Sequence, residues 1–397
     1  MIECVDMKIN RTTKSIIYVI VAAVLLCCLS GCTSWDNFKK AFIDKKPAEL
    51  PVIRIAVLEP QSGDMEEAAK DELNGIMLAN EVYGIVRNHR VELVPYDDQS
   101  DVDATTAQAK AITESDAVMV IGSYGNLLSL AAGDVFRELE MPAVAASCSN
   151  ALVTQSNPFY ISANTTDTYD ALAAAEFAAK FIKAKNAAAL YFTGNDFSKA
   201  KADTFAQRFS ESMGNDAVQT IAIPADAEDF NDFFETLDQH DTELIYFPEE
   251  FEQAQNIVRE AGTLGFDFKW TGPASWENMG IEGTYYTPDY IPENQSSNVS
   301  EAFMKAFRAK YGKEAVPSKS FALGFDAYLL AVEGIRSAIT NDDRTKIAAA
   351  MKAIENLPAA TGEITIAGDG SARKPVCVYI ITETGASREA FRCTPEK

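Results

Sequence analysis

From Val52 onward the chain repeats one unit: a short apolar run, a turn, then a longer stretch at helical spacing. Val52-Ile53-Arg54-Ile55-Ala56-Val57-Leu58 opens the series, and helical spacing follows from Glu66 to Tyr83. Val91-Glu92-Leu93-Val94-Pro95-Tyr96 is the next extended run, with a helix through Ala104 to Ser115. Ala117-Val118-Met119-Val120-Ile121-Gly122, a helix from Leu127 to Leu139 and Ala143-Val144-Ala145 complete it. Apolar runs of this length between helices fit strands of a parallel sheet buried on both faces.

The rhythm then restarts. Strands are expected at Ala187–Phe192, Val218–Ile223, Leu244–Phe247 and Phe268–Thr271, with helices over 167–184, 199–213, 228–237 and 250–264. Two successive series of similar size predict an α/β protein of two doubly wound, Rossmann-like lobes. Helices over Ser300–Tyr311, Gly324–Thr340 and Asp343–Glu355 follow, then strands and turns from Gly362, so the chain is expected to cross back between lobes.

The first fifty residues follow another pattern. A segment with Lys8, Arg11 and Lys14 precedes the apolar stretch Ile16–Leu26, and Leu29-Ser30-Gly31-Cys32 closes it. The apolar stretch is short for a spanning helix, which needs about 20 residues, and has the length of a signal peptide's core. Small residues before Cys32 suit peptidase cleavage, and its thiol suits acylation. The reading is a lipoprotein signal peptide over 1–31 and a lipid-anchored tether over 32–50, exported and held at a membrane through Cys32. Starting at Met7 removes Glu3 and Asp6 and leaves a cleaner basic segment. Thr33 after the cysteine is not the aspartate that retains some lipoproteins at an inner membrane, so both membranes stay open.

Charge narrows the partners. Residues 1–31 contribute +1, and removing that from the chain's −23 leaves −24 on the remainder. Such an excess of acid argues against nucleic acid, whose phosphates need clustered Lys and Arg. The roughly 347 residues after the tether make about two domains of ordinary size. Beyond Cys32 the cysteines are Cys148, Cys377 and Cys393. The last two flank Gly385 symmetrically in an expected hairpin over Val376–Thr394, and an exported compartment permits a disulfide between them. Strand register decides whether they share a face. Cys148 is then a lone thiol.

In doubly wound folds ligands sit beyond the carboxyl ends of the strands, near free N–H groups of helix N-termini. Three polar segments fall there: Gln61-Ser62-Gly63-Asp64, Gly122-Ser123-Tyr124-Gly125-Asn126 and Ala145-Ala146-Ser147-Cys148-Ser149-Asn150. Helix capping accounts for any one of them. All three at strand ends of one sheet point to a binding site for a small anion such as a carboxylate. Enzymatic readings find little support. His89 and His240 sit in polar loops without a nucleophile or metal-ligand partner at useful spacing. No Walker-type loop or nucleophile elbow is present, and Gly368-Asp369-Gly370 is a turn between strands. No cofactor, metal or catalytic residue is expected.

The ordered set of motifs resembles the type 1 periplasmic binding proteins, in particular the branched-chain amino-acid solute-binding lipoproteins of ABC transporters. Ile53 through Gly63 resembles that family's opening strand and loop, and Asn74-Gly75 falls at its usual helix position. Val94-Pro95-Tyr96-Asp97-Asp98, Asn195-Asp196-Phe197-Ser198, Ala261–Gly265 with Gly272-Pro273, Phe303–Gly312 and Phe325-Asp326-Ala327-Tyr328 match later family segments. The resemblance covers 52 to 391. It implies two lobes joined by three crossover segments: residues 51–165 with 290–373, and residues 166–289 with 374–397. It also implies a small amino-acid-like ligand, an ABC permease as partner, and closure of the lobes over the ligand.

The resemblance places Asn126 where the amino-acid binders hold the ligand carboxylate. Ser147 and Ser149 fall on the adjoining binding loop. Phe197 takes the place of an aromatic that closes over the ligand, and Phe251, with Glu250 beside it, lies near another. Trp276 is expected as a wall or cation–π face. Two positions depart from the pattern. Ala68 stands where an aromatic is common, and Ala274 where an acid pairs the ligand ammonium. Glu249, Glu250 or Glu277 are the acids at hand to replace it. A repurposed cleft would show such changes. The rival readings are a regulatory or structural lipoprotein of the same fold binding a protein partner, as activators of cell-wall synthases do, and a ligand sensor.

Overall fold

The computed structural model describes residues 50–227, 229–292 and 297–395. The signal segment, Cys32 and the tether up to residue 49 lie outside the described residues.

The first series forms a six-stranded sheet. Its strands are β1 (Val52–Glu59), β2 (Ile85–Val86), β3 (His89–Asp97), β4 (Met119–Gly122), β5 (Ala143–Ala145) and β6 (Tyr160–Ser162), in the order β2-β3-β1-β4-β5-β6. From β1 through β6 the neighbours pair in parallel, with Ile55 opposite Met119 and Val144 opposite Ile161. Helices α1 (Glu66–Tyr83), α2 (Val102–Thr113) and α3 (Gly125–Glu138) connect them. The period-two alternation of β1 shows why the run is apolar throughout. Ile53, Ile55 and Val57 join Ile76 and Leu78 of α1 in one core, while Ala56 and Leu58 join Ile112 and Phe136 in another. The short strands β2 and β6 were not expected, since two or three residues give no apolar run to read.

The chain passes to the second lobe after β6. Helix α4 (Tyr169–Glu176) continues as a π-helical stretch over Phe177–Ile182 where one uniform helix was expected. Then follow β7 (Ala187–Phe192), α5 (Asp196–Met213), β8 (Val218–Ile223), α6 (Asn231–Gln239), β9 (Leu244–Tyr246), α7 (Phe251–Leu264), β10 (Lys269–Gly272) and β11 (Tyr285–Tyr286). The chain next returns to the first lobe for α8 (Asn298–Tyr311), α9 (Lys319–Ser337), α10 (Arg344–Lys352) and a small antiparallel sheet of β12 (Leu357–Ala359), β13 (Gly362–Ile366) and β14 (Ala372–Arg373). It crosses once more into β15 (Val376–Ile381) and β16 (Ser387–Cys393), which complete a seven-stranded sheet, β16-β15-β11-β10-β9-β7-β8. Three crossings therefore join the lobes.

The return is held by α9 against α1. Phe321 and Phe325 of α9 sit in the same core as Ile76 and Leu78 of α1. Tyr328 places its hydroxyl 2.8 Å from Asn80 Oδ1 and 3.1 Å from the Tyr83 carbonyl. The helix backbones approach closely enough that a Cβ at Gly75 would lie 2.0 Å from the Phe321 carbonyl oxygen, and one at Gly324 would lie 2.1 Å from that of Glu72. Glycine is required by this contact. Helix α9 starts at Lys319, earlier than expected, because Ser318 caps it by accepting from Phe321 N–H at 3.1 Å.

The hairpin β15–β16 is present, but the disulfide is not. Cys393 stands opposite Val376 and Cys377 opposite Arg392, so the two cysteines occupy successive register positions whose side chains point to opposite faces. Among the described residues Cys148, Cys377 and Cys393 form no disulfide.

Candidate ligand cleft

A cleft of about 670 Å³ opens between the lobes. The first lobe supplies Ser149, the second Phe197, Glu250 and Ala274, and the crossing segments Asn164–Asp167 and Thr287–Ile291. Each contributor follows a strand end or a crossing, the place where a doubly wound sheet leaves backbone N–H groups and loops exposed.

On the first lobe the two polar loops are clamped together. Asn126 Oδ1 accepts from the backbone N–H groups of Ser149 (2.9 Å) and Asn150 (3.1 Å), and its Nδ2 lies 3.5 Å from Ser149 Oγ. Ser147 Oγ accepts from Gly125 N–H at 3.1 Å, and the Ser147 carbonyl accepts from Asn164 Nδ2 at 3.0 Å. The structure thus brings Asn126, Ser147 and Ser149 together, and of the three Ser149 lines the cleft. The amide oxygen of Asn126 shapes the loops that carry Ser149.

On the second lobe Phe197 is 56% exposed and lies beneath the Lys201 ammonium, 4.9 Å from the ring centre. Phe251 packs partly buried against the lobe core, its N–H donating to Ser275 Oγ at 3.3 Å, and is not part of the cleft lining. Trp276 is fully buried. Its indole N–H donates to the Glu249 carbonyl at 2.8 Å, and its ring lies where a Cβ on Gly272 would be, so it packs the core of the lobe and presents no cation–π face. Of the three acids at hand, Glu249 is buried and accepts from Phe192 N–H (3.0 Å) and Asn195 Nδ2 (2.9 Å), which engages it in lobe structure. Glu250 and Glu277 line the cleft.

Sequence reasoning missed a buried acidic group under the first-lobe loops. Glu59 ends β1 with the same parity as Ile53, Ile55 and Val57, so it faces α1, where Glu72 sits. Both carboxyls are fully buried and neither has a hydrogen-bond partner among the described residues. Burial, and then the neighbouring Glu72 and Asp98, raise the Glu59 carboxyl well above its usual range. Burial lifts Glu72 to about 7, against the opposing pull of Ser147 and Glu59. Asp98, also raised by burial, accepts from Ser123 Oγ and from Ser100 N–H. The acid after an apolar run at Glu59 was the available signal.

In a smaller pocket that adjoins the cleft and shares Asn164 and Lys319 with it, Lys374, on the third crossing, is buried and reaches Thr361 Oγ1, with Asp326 Oδ2 3.6 Å away. Burial pulls its ammonium down to about 8. Asp326 is held in turn by the N–H groups of Ala360 (2.6 Å) and Thr361 (3.1 Å).

Two Rossmann-like lobes, three crossings and a cleft with walls from both define a bilobal ligand-binding protein of the type 1 periplasmic architecture. The chain belongs to the periplasmic binding protein family, whose model matches residues 52–386. It is similar to the leucine-, isoleucine-, valine-, threonine- and alanine-binding protein of Pseudomonas aeruginosa, 24% identical over 76% of this chain and 82% of that one. It is similar to the leucine binding protein of Thermotoga maritima, 27% identical with a TM-score of 0.60, covering 86% of this chain and 99% of that one. In fold it matches a putative branched-chain amino acid ABC transporter protein from Rhodospirillum rubrum, 19% identical with a TM-score of 0.75, over 85% of this chain and all of the other.

Proposed function

We propose that this chain is a lipid-anchored, extracytoplasmic solute-binding protein. It captures a small amino-acid-like ligand between its lobes for an ABC permease of the branched-chain amino-acid type. The observation that carries this reading is the cleft of about 670 Å³, large enough for a small solute and walled by both lobes. Closure brings contacts from both walls onto one ligand, so the ligand favours the closed state by its differential affinity. The amino-acid relatives named above support the ligand class. Among the described residues no helix is long and apolar enough to cross a membrane, and Cys32 provides the tether in this reading. Binding and closure make no covalent bond.

A thermal-shift screen of the full chain in detergent, against amino acids and small carboxylates, tests it. A ligand at 100 times its Kd adds about 2.7 kcal/mol to stability. No shift with any of them, together with an unliganded mass in native mass spectrometry, favours the partner-binding lipoprotein. Mass spectrometry of the Cys32 peptide checks the anchor, and an unmodified cysteine on an uncleaved chain overturns it.

A further inference from the structure

Each lysine at the cleft has its own aspartate. Lys201 pairs with Asp170 at 2.8 Å and Lys319 with Asp289 at 3.1 Å, and in the smaller adjoining pocket Lys374 lies 3.6 Å from Asp326. Three further carboxylates line the same cavity: Asp167 on the first crossing, and Glu250 and Glu277 on the second lobe. None of these three makes an ion pair among the described residues. Among the described residues no arginine or histidine lines the cleft. The cations of the cleft are therefore neutralised in place, and the uncompensated charge is negative, on the first crossing and on the second-lobe wall.

We infer that the ligand carries net positive charge, an amine-bearing solute such as a basic amino acid or a short diamine. The inference rests on the solute-binding reading and names its ligand class. A carboxylate alone would meet Asp167, Glu250 and Glu277, and each lysine it could approach already has an aspartate beside it that halves its attraction or more. An aliphatic side chain would leave three carboxylates under a closing lid, where losing water without gaining a partner is unfavourable. An ammonium group relieves both conditions. The exposed ring of Phe197 lies on the same wall, with the Lys201 ammonium 4.9 Å from its centre. The excess of acid over the whole chain, net −23, adds a long-range field that concentrates cations at the opening and repels anions. Ala274 then needs no acid, because Glu250 and Glu277 line the same cleft.

Calorimetry on the full chain in detergent, with L-lysine, putrescine, L-leucine and benzoate as probes, tests the inference. L-Lysine or putrescine is expected to bind about 10-fold or more tighter than L-leucine, with affinity that falls as salt rises. Glu277→Gln and Glu250→Gln are each expected to weaken the cationic probe about 10-fold, an effect at the scale of one desolvated charge-assisted contact. Both positions are exposed, so the unliganded melting temperature should stay within about 2 °C. Tighter binding of L-leucine, or cation affinity unchanged in both variants, overturns the charge assignment and leaves the solute-binding reading standing. Failure of all four probes and of the wider screen overturns both.

Discussion

Asn126 accepts the backbone N–H of Ser149 at 2.9 Å, so a side chain from the loop after β4 fixes the loop after β5. The same oxygen takes the N–H of Asn150 at 3.1 Å. One amide thereby sets where the Ser149 hydroxyl stands at the edge of the cleft.

Asn126→Ala removes the acceptor of two solvent-exposed N–H groups. Loss of about 0.5–1.5 kcal/mol of unfolding free energy is expected, read by urea denaturation. Ligand affinity should fall in step, because Ser149 loses its position. Ser149→Ala should weaken binding while leaving stability nearly unchanged; equal affinity removes Ser149 from the site.

The buried carboxyls make stability depend on pH. Glu72 is lifted to about 7 by burial, and Glu59 is raised well above the usual carboxylate range by burial and by Glu72. A carboxyl whose pKa rises on folding binds its proton more tightly in the folded state. Its contribution is full below the unfolded value and is lost as pH climbs through the folded one. The melting temperature of the chain should therefore fall from about pH 5 to about pH 8. Glu72→Gln should flatten that slope and raise stability at the alkaline end, and Glu59→Gln with Glu72→Gln should flatten it further. A double variant with the wild-type slope excludes the pair as its source.

Gly324→Ala in α9 drives a methyl to 2.1 Å from the Glu72 carbonyl oxygen. Backbone cannot yield as a flexible side chain would, so a loss of about 3 kcal/mol or more is expected from overpacking. Gly262→Ala in α7, whose Cβ meets nothing within 4 Å, should instead gain up to about 1 kcal/mol from helix propensity. Chemical denaturation of the two variants side by side decides the matter. Equal effects would mean that the α1–α9 contact relaxes.

Cys148, Cys377 and Cys393 are not disulfide-bonded. Alkylation in denaturant without reductant should label all three, and the Cys377→Ser chain should melt within about 1 °C of wild type, since no cross-link is lost. A tryptic fragment joining Cys377 to Cys393 contradicts the register of β15 and β16.

Much of this fold was legible because buried parallel strands must be apolar on both faces. Val52–Glu59 and Ala187–Phe192 announced themselves as uninterrupted runs, and the long helices announced themselves by spacing. Strands β2, β6 and β11 stayed silent because two or three residues carry no period. Phe197 and Glu250 line the cleft. Trp276 does not, because whether an indole after Gly272-Pro273 turns outward or folds back over the glycine depends on the space above Gly272. The Cys377–Cys393 separation looked symmetrical about Gly385, yet a bulge between Val378 and Tyr379 shifts the pairing along the hairpin. Glu59 and Glu72 lie thirteen positions apart, and only the packing of α1 on β1 makes them neighbours.

The sequence by itself determined the two lobes and the order of their elements. These follow from local rules, the alternation of side chains along a strand and the repeat of a helix, which each segment obeys without reference to the others. Tertiary structure alone decided which charges compensate one another. Lys201 and Asp170 are thirty-one residues apart, as Lys319 and Asp289 are thirty, and their pairing leaves Asp167, Glu250 and Glu277 uncompensated across the cleft. Electrostatic interaction depends on separation in space and on the water between the charges, and neither is written in the order of the residues.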